Sequence, residues 1–182
     1  MSHAHTLTDV ATLRAQARKH VERGAVTAGY RADRDQVLKL LNEALATEIV
    51  CVLRYRRHHF MARGIHGQSV GAEFLVHSNE EQGHADLLAA RIVQLGGEPD
   101  FSPDSLSKRS HAEYVAAETL AQMIQENLVA ERIAIDSYRD MVAYLDDQDP
   151  TTSDLLKQIL AVEEEHADEL ADLLEGMPGH AV

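Results

Sequence analysis

The chain has 182 residues, 45% of them apolar, which is enough for one domain with a sizeable core. Its formal charge of −13 is unevenly placed: residues 1–32 hold five Lys/Arg against two acids, so residues 33–182 carry −16, which excludes a nucleic-acid binder as the body of the molecule and suits one that attracts cations. The single cysteine, Cys51, excludes an internal disulfide framework, and with no signal-like segment and no run near the roughly 18 apolar residues of a membrane span, a cytoplasmic protein is expected.

Proline falls only at positions 99, 103, 150 and 178, and long tracts lack glycine, so the chain divides into helix-length segments. The pattern predicts a short amphipathic helix over Thr8 to Arg23. A first long helix runs from about Asp33 to Arg63 and stops at Gly64; a second runs from about Gly67 to Leu95 and stops at Gly96 and Gly97. The third spans about Glu113 to Asp146. The fourth starts on Thr151, Thr152 or Ser153 as its cap and ends by Gly176. The chain is thus expected to comprise an N-terminal extension over 1–32, a helical bundle over 33–176 and a tail over 177–182. Short links make helices one and two, and three and four, antiparallel hairpins, whereas "GGEPDFSPDSLSKRSHA" (96–112) is long enough to run back along the bundle. The expected fold class is all-α: a four-helix bundle with one long crossover and a short extra N-terminal helix.

Two helices carry the same motif in the same register. "EEQGHADLLA" (80–89) and "VEEEHADELA" (162–171) both place Glu, two residues, then His-Ala-Asp. With 16 Glu and 11 His, chance alone supplies about one Glu-x-x-His pair, so the weight lies in the context. Glu163 and His166 share a heptad stripe with Leu156, Ile159, Leu170 and Leu173, and Glu81 and His84 share one with Phe74, Leu88, Ile92 and Leu95. Charged groups at core positions are costly unless paired or metal-bound. A spacing of three sets both side chains on one helix face, each motif offering a carboxylate oxygen and a ring nitrogen inward.

A dinuclear carboxylate centre needs one further Glu from each remaining helix. The first helix offers Glu48, flanked at core spacing by Leu41, Leu45, Val52 and Tyr55; the third offers Glu126, flanked by Met123, Ala130 and Ile133. Glu48 precedes Glu81 by 33 residues and Glu126 precedes Glu163 by 37, a rough internal repeat. Four carboxylates against two divalent ions cancel in charge, and mixed carboxylate and imidazole donors suit iron or manganese.

The segments "LNEALATEIVCVLRY", "NEEQGHADLLAARIVQLGGEPD", "ENLVAERIAI" and "ILAVEEEHADELADLL" resemble the bacterioferritins and the related Dps-like mini-ferritins over about Gln36 to Glu175. The resemblance implies a ferritin-like bundle with two iron ions per chain held by Glu48, Glu81, His84, Glu126, Glu163 and His166, Glu81 and Glu163 bridging. It also implies a role for Tyr55, seven residues after Glu48, beside the metals, and an iron-oxidising storage function using O2 or H2O2 inside a homo-oligomeric shell. Where haem-binding bacterioferritins have Met after the first motif Glu, this chain has Gln82, so no haem is expected. The family's short fifth helix has no counterpart in the 16 residues after His166, so twelve subunits are expected rather than twenty-four. The same six ligands would also serve a manganese catalase or a rubrerythrin-like peroxidase, although the cysteine pairs of a rubredoxin are missing. A DNA-protecting role would rest on Arg14, Arg18, Lys19 and Arg23; a solvated helix face explains these more simply, and DNA binding is not expected. Cys51 and His77 lie one turn from Glu48 and Glu81; a small buried hydrophobe is expected at 51, and at 77 a packed or solvated histidine in preference to one that guides incoming iron.

Overall fold

The computed structural model describes residues 7–177, so residues 1–6 of the extension and 178–182 of the tail lie outside the described residues. The expected all-α class holds, with six α-helices and no strand among the described residues: α1 (Val10–Gln16), α2 (Arg34–Met61), α3 (Gly67–Gln94), α4 (Leu106–Arg109), α5 (Leu120–Leu145) and α6 (Pro150–Glu175). α2 packs on α3 and α5 on α6, and the two hairpins close on each other through α2 with α5 and α3 with α6. None of these helices is long and apolar enough to cross a membrane.

Caps explain most boundaries. Asp33 accepts from Gln36 N at 3.2 Å to start α2, and Thr119 with Gln122 forms a reciprocal capping box on α5. α6 starts earlier than the sequence suggested: Asp149 is the cap, accepting from Thr152 N at 3.0 Å, and Pro150 takes the first helical position, where its missing N–H costs nothing. The Gly96–Gly97 stop on α3 is steric as well as conformational. Gly96 sits at φ 75°, and a Cβ on Gly97 would come within 2.5 Å of Leu38 Cδ2.

Two expected helices are shorter. The N-terminal helix ends at Gln16, and His20, at φ 53°, separates it from a 3-10 turn over Val21–Arg23. α5 begins at Leu120, not Glu113, because the preceding chain is spent on long-range bonds. The crossover is fastened to successive turns of α2: Asn42 Oδ1 accepts from Asp100 N (2.8 Å), Thr47 Oγ1 accepts from His111 N (2.9 Å), and Arg54 Nη1 donates to the Glu113 carbonyl (3.1 Å). His58 Nε2 lies 3.0 Å from the Ala116 carbonyl. Thr47, Arg54 and His58 are buried polar groups satisfied by extended backbone, whose N–H and C=O groups a helix would have consumed.

The apolar core falls into two main blocks. One joins Val37, Leu41, Leu45, Leu88, Ile92, Tyr138, Leu145, Leu156 and Ile159; the other joins Cys51, Tyr55, Phe74, Met123, Ile124, Ala130 and Leu170. At about 1.5–3 kcal/mol per fully buried large aliphatic side chain, both are substantial. Between them, at mid-height of the bundle, lies a layer of acids and imidazoles.

Candidate metal centre

All four long helices contribute to this layer. Glu48 comes from α2, Glu81 and His84 from α3, Glu131 from α5, and Glu163 and His166 from α6, each at most 7% exposed. Five of the six residues singled out in the sequence are therefore brought together. Glu126 is not: it is only half-buried, and Glu131 occupies the inward position on α5. At about 100° per residue, five positions separate them by about 140° around the helix, so the two cannot face the same interior.

The donor atoms form two overlapping sets. Glu48, Glu81, Glu163 and His84 each place one atom within 4.8 Å of the others, and so do Glu81, Glu131, Glu163 and His166. Glu81 and Glu163 belong to both, and each splits its two oxygens between them. His84 Nδ1 lies 3.3 Å from Glu81 Oε2 and 2.9 Å from Glu163 Oε1; His166 Nδ1 lies 3.5 Å from Glu81 Oε1 and 3.9 Å from Glu163 Oε2. The 2.9 Å approach lacks hydrogen-bond directionality, since both Glu163 oxygens are without a hydrogen-bond partner.

Two tyrosines lock the outer carboxylates reciprocally. Tyr55 donates to Glu131 Oε1, across to the other hairpin, and Tyr138 donates to Glu48 Oε1 in the opposite direction. Tyr138 had not been singled out, yet its spacing carries the signal: Tyr138 follows Glu131 by seven, as Tyr55 follows Glu48, and Glu131 precedes Glu163 by 32, close to the 33 between Glu48 and Glu81. On the outer side, Glu80 Oε2 lies 2.9 Å from His166 Nε2 and so orients its ring. His77 is fully buried, stacks on His166 with ring centroids 4.0 Å apart, and places Nδ1 3.2 Å from the Tyr55 hydroxyl. Cys51 packs in the apolar block beside Tyr55 and takes a 3.5 Å contact from Arg54 Nη2.

Without metal the layer is held together by protons. Burial, then the Glu81 charge, pushes Glu48, Glu131 and Glu163 above the usual carboxylate range. Burial opposes ionisation of Glu81 as well, but its contacts with His166 and His84 outweigh this and hold it below that range. Burial works against a charged His84, yet Glu48 and Glu81 raise it to about 10, and Glu81 raises His166 to about 9 against the same penalty. Six of the seven buried side-chain atoms lacking a hydrogen-bond partner among the described residues belong to these ligand candidates: one oxygen each of Glu48, Glu81 and Glu131, both of Glu163, and His166 Nδ1. Converging donor atoms without hydrogen-bond partners are what a cation site requires and what a closed ion-pair network lacks.

Residues 38–179 match the model of the ferritin-like domain family. The chain belongs to the ferritin-like family. Among its ferritin-like relatives are the bacterioferritin of Mycobacterium avium, 30% identical over 78% of this chain and 86% of the relative, and the DNA protection during starvation protein of Pyrococcus furiosus, 31% identical over 81% and 82%. A solved structure described as a dodecameric thioferritin, the bacterioferritin-related protein of Bacteroides fragilis, is 32% identical and superposes with a TM-score of 0.77 over 80% of this chain and 88% of its own.

Proposed function

We propose that this ferritin-like chain oxidises Fe2+ at a dinuclear centre and stores the Fe3+ inside a homo-oligomeric shell. The ligands are Glu48, Glu81, His84, Glu131, Glu163 and His166, with Glu81 and Glu163 bridging. The observation that carries this reading is the pair of four-donor sets sharing Glu81 and Glu163, with five of their carboxylate oxygens and one ring nitrogen left without hydrogen-bond partners. Each set offers three carboxylates and one imidazole, hard and borderline donors that suit Fe2+ or Mn2+. Four carboxylates also cancel the charge of two divalent ions.

Fe2+ is the substrate. Two ions held side by side can give up one electron each together, which reduces O2 with two protons to H2O2, or H2O2 with two protons to two waters. The chain's own part is to fix both ions between rigid helices, to let Tyr55 and Tyr138 orient the outer carboxylates, and to keep bulk water out with the apolar blocks. Metal entry must also displace the protons that hold the layer together, those on Glu48, Glu131 and Glu163 and those on the two imidazolium rings.

The relatives favour a closed assembly, and twelve copies is the number attached to the Bacteroides fragilis protein. The deciding experiment loads metal-free protein anaerobically with Fe2+ and then adds O2 or H2O2, following oxidation, mineral growth and oxygen release. Two Fe2+ bound per chain, fast oxidation and a growing mineral are expected. Oxygen release from H2O2 without stored iron would replace storage by a catalase.

A further inference from the structure

Arg54 sits wholly inside the bundle, yet no carboxylate pairs with it among the described residues. Its guanidinium reaches only neutral groups: Nε donates to Asn127 Oδ1 at 2.9 Å, Nη1 donates to the Glu113 carbonyl at 3.1 Å, and Nη2 contacts Cys51 Sγ at 3.5 Å. Asn127 Oδ1 also lies 3.1 Å from His58 Nδ1, so even this amide oxygen is shared. An arginine keeps its proton throughout the working pH range, and a buried charge without a counter-charge is among the costliest features a core can carry. Fastening the crossover does not account for it, because neutral donors would make the same bonds.

The charge lies against one half of the ligand layer. Asn127 precedes Glu131 by four residues on α5, one turn and about 6 Å along the helix. Arg54 Cζ stands 5.7 Å from the ring centroid of Tyr55, whose hydroxyl is donated to Glu131. The internal repeat supplies no matching charge on the other side. Arg54 follows Glu48 by six, but the residue six after Glu131 is Ser137; Asn127 precedes Glu131 by four, but the residue four before Glu48 is Ala44. Since the four carboxylates cancel two divalent ions, Arg54 leaves the loaded layer positive. Loss of one electron from each ion adds two further positive charges, and the repulsion from Arg54 grows with them.

We propose that Arg54 acts on the dinuclear centre through its charge, weakening the hold on the ions, above all the one beside Glu131 and His166, so that oxidised iron leaves and the centre refills. This rests on the reading of the layer as an iron-oxidising centre and deepens it: Arg54 makes the centre a passage for substrate and not the seat of a resident metal. The test measures binding of Co2+, which binds like Fe2+ but resists oxidation, to the metal-free, full-length assembly by competition with a chelating indicator. Arg54→Gln keeps hydrogen-bond donors and drops the charge, whereas Asn127→Asp keeps Arg54 and sets a carboxylate against it. Both are expected to bind the weaker of two Co2+ ions about ten-fold tighter than the native protein, with Arg54→Lys close to native. A purely structural role predicts the reverse, because a loosened crossover weakens binding. Oxidation gives a second readout. After O2 has oxidised two Fe2+ per chain, two more should react as fast as the first in the native protein and about ten-fold more slowly in Arg54→Gln. Co2+ binding no tighter than native in both neutralised variants, with helical content intact, would overturn the proposal; if Arg54→Gln does not fold, Asn127→Asp decides alone. Failure of the underlying reading looks different: the native protein and Glu163→Ala would bind equal amounts of Co2+, leaving Arg54 no centre to act on.

Discussion

Glu131 and Glu126 provide a sharp residue-level test, because they differ by about 140° on one helix and share a chemistry. Glu131→Ala should slow Fe2+ oxidation by about 100-fold or more, whereas Glu126→Ala should stay within about two-fold; equal effects would mean that α5 turns the other face inward. Tyr138→Phe and Tyr55→Phe should each weaken metal binding by about ten-fold, and by similar amounts, since each removes the hydroxyl holding one outer carboxylate. The protonated layer also fixes the sign of the pH dependence. Groups whose folded pKa is raised stabilise the fold below their unfolded pKa and lose that contribution as pH rises through the folded value. For the metal-free protein that applies to His84 and His166, with folded values of about 10 and 9 against 6.5 unfolded, and to the three raised carboxyls, which start from 4.5. The Tm of the metal-free protein should therefore fall from pH 5 to pH 9. Glu81, depressed, adds stability only as pH rises toward 4.5 and is already ionised across this window. Metal competes with the protons, so stabilisation by Co2+ should widen over the same window. Parallel Tm curves with and without Co2+ would show that the layer carries no exchangeable protons.

At the scale of single elements, the α6 cap does more than begin a helix. Asp149 accepts from Thr152 N, pairs with Arg91 Nη2 at 2.8 Å and accepts from the Tyr30 hydroxyl at 2.9 Å, which ties α3, α6 and the segment before α2 together. Asp149→Ala leaves Arg91, only 8% exposed, without its charge partner, and should cost about 3 kcal/mol or more, seen as a lower urea midpoint. A loss below about 1 kcal/mol, the range of a cap alone, would show that the ion pair contributes nothing. The four long helices could be read in the sequence because their breaks are chemical, Gly64 and Gly96–Gly97 above all, although the start of α6 at Asp149 and Pro150 was placed a few residues late. The two repeated motifs could be read because they interrupt apolar stripes. Glu131 was hidden by the breadth of the buried face of α5, where Met123 and Ala130, the neighbours that recommended Glu126, are themselves buried. The late start of α5 was hidden for another reason: Arg54 and His58 look like ordinary helix residues until the backbone they bond, 57 or more residues away, is in place.

At the scale of the whole molecule, charge decides between partners. Twelve chains of −13 would carry a formal −156, so a closed shell should repel DNA phosphates even though Arg14, Arg18, Lys19 and Arg23 are exposed. No DNA retardation is expected at physiological salt, and salt-sensitive binding abolished by deleting residues 1–32 would reverse that. Light scattering should give a twelve-subunit mass; a twenty-four-subunit mass would refute the assembly. The reciprocal tyrosine locks bear on a different question, whether the molecule needs to be one chain at all. Each hairpin carries one hydroxyl that only the other hairpin can use, so neither half is complete alone, and a single hairpin would regain its missing parts only from a copy of itself turned through half a revolution. The crossover then acts as a tether between two interlocking halves. Fragments 1–104 and 105–182, produced together, should associate and recover paired metal binding that neither shows separately; halves that stay apart would make the tether itself indispensable to the fold.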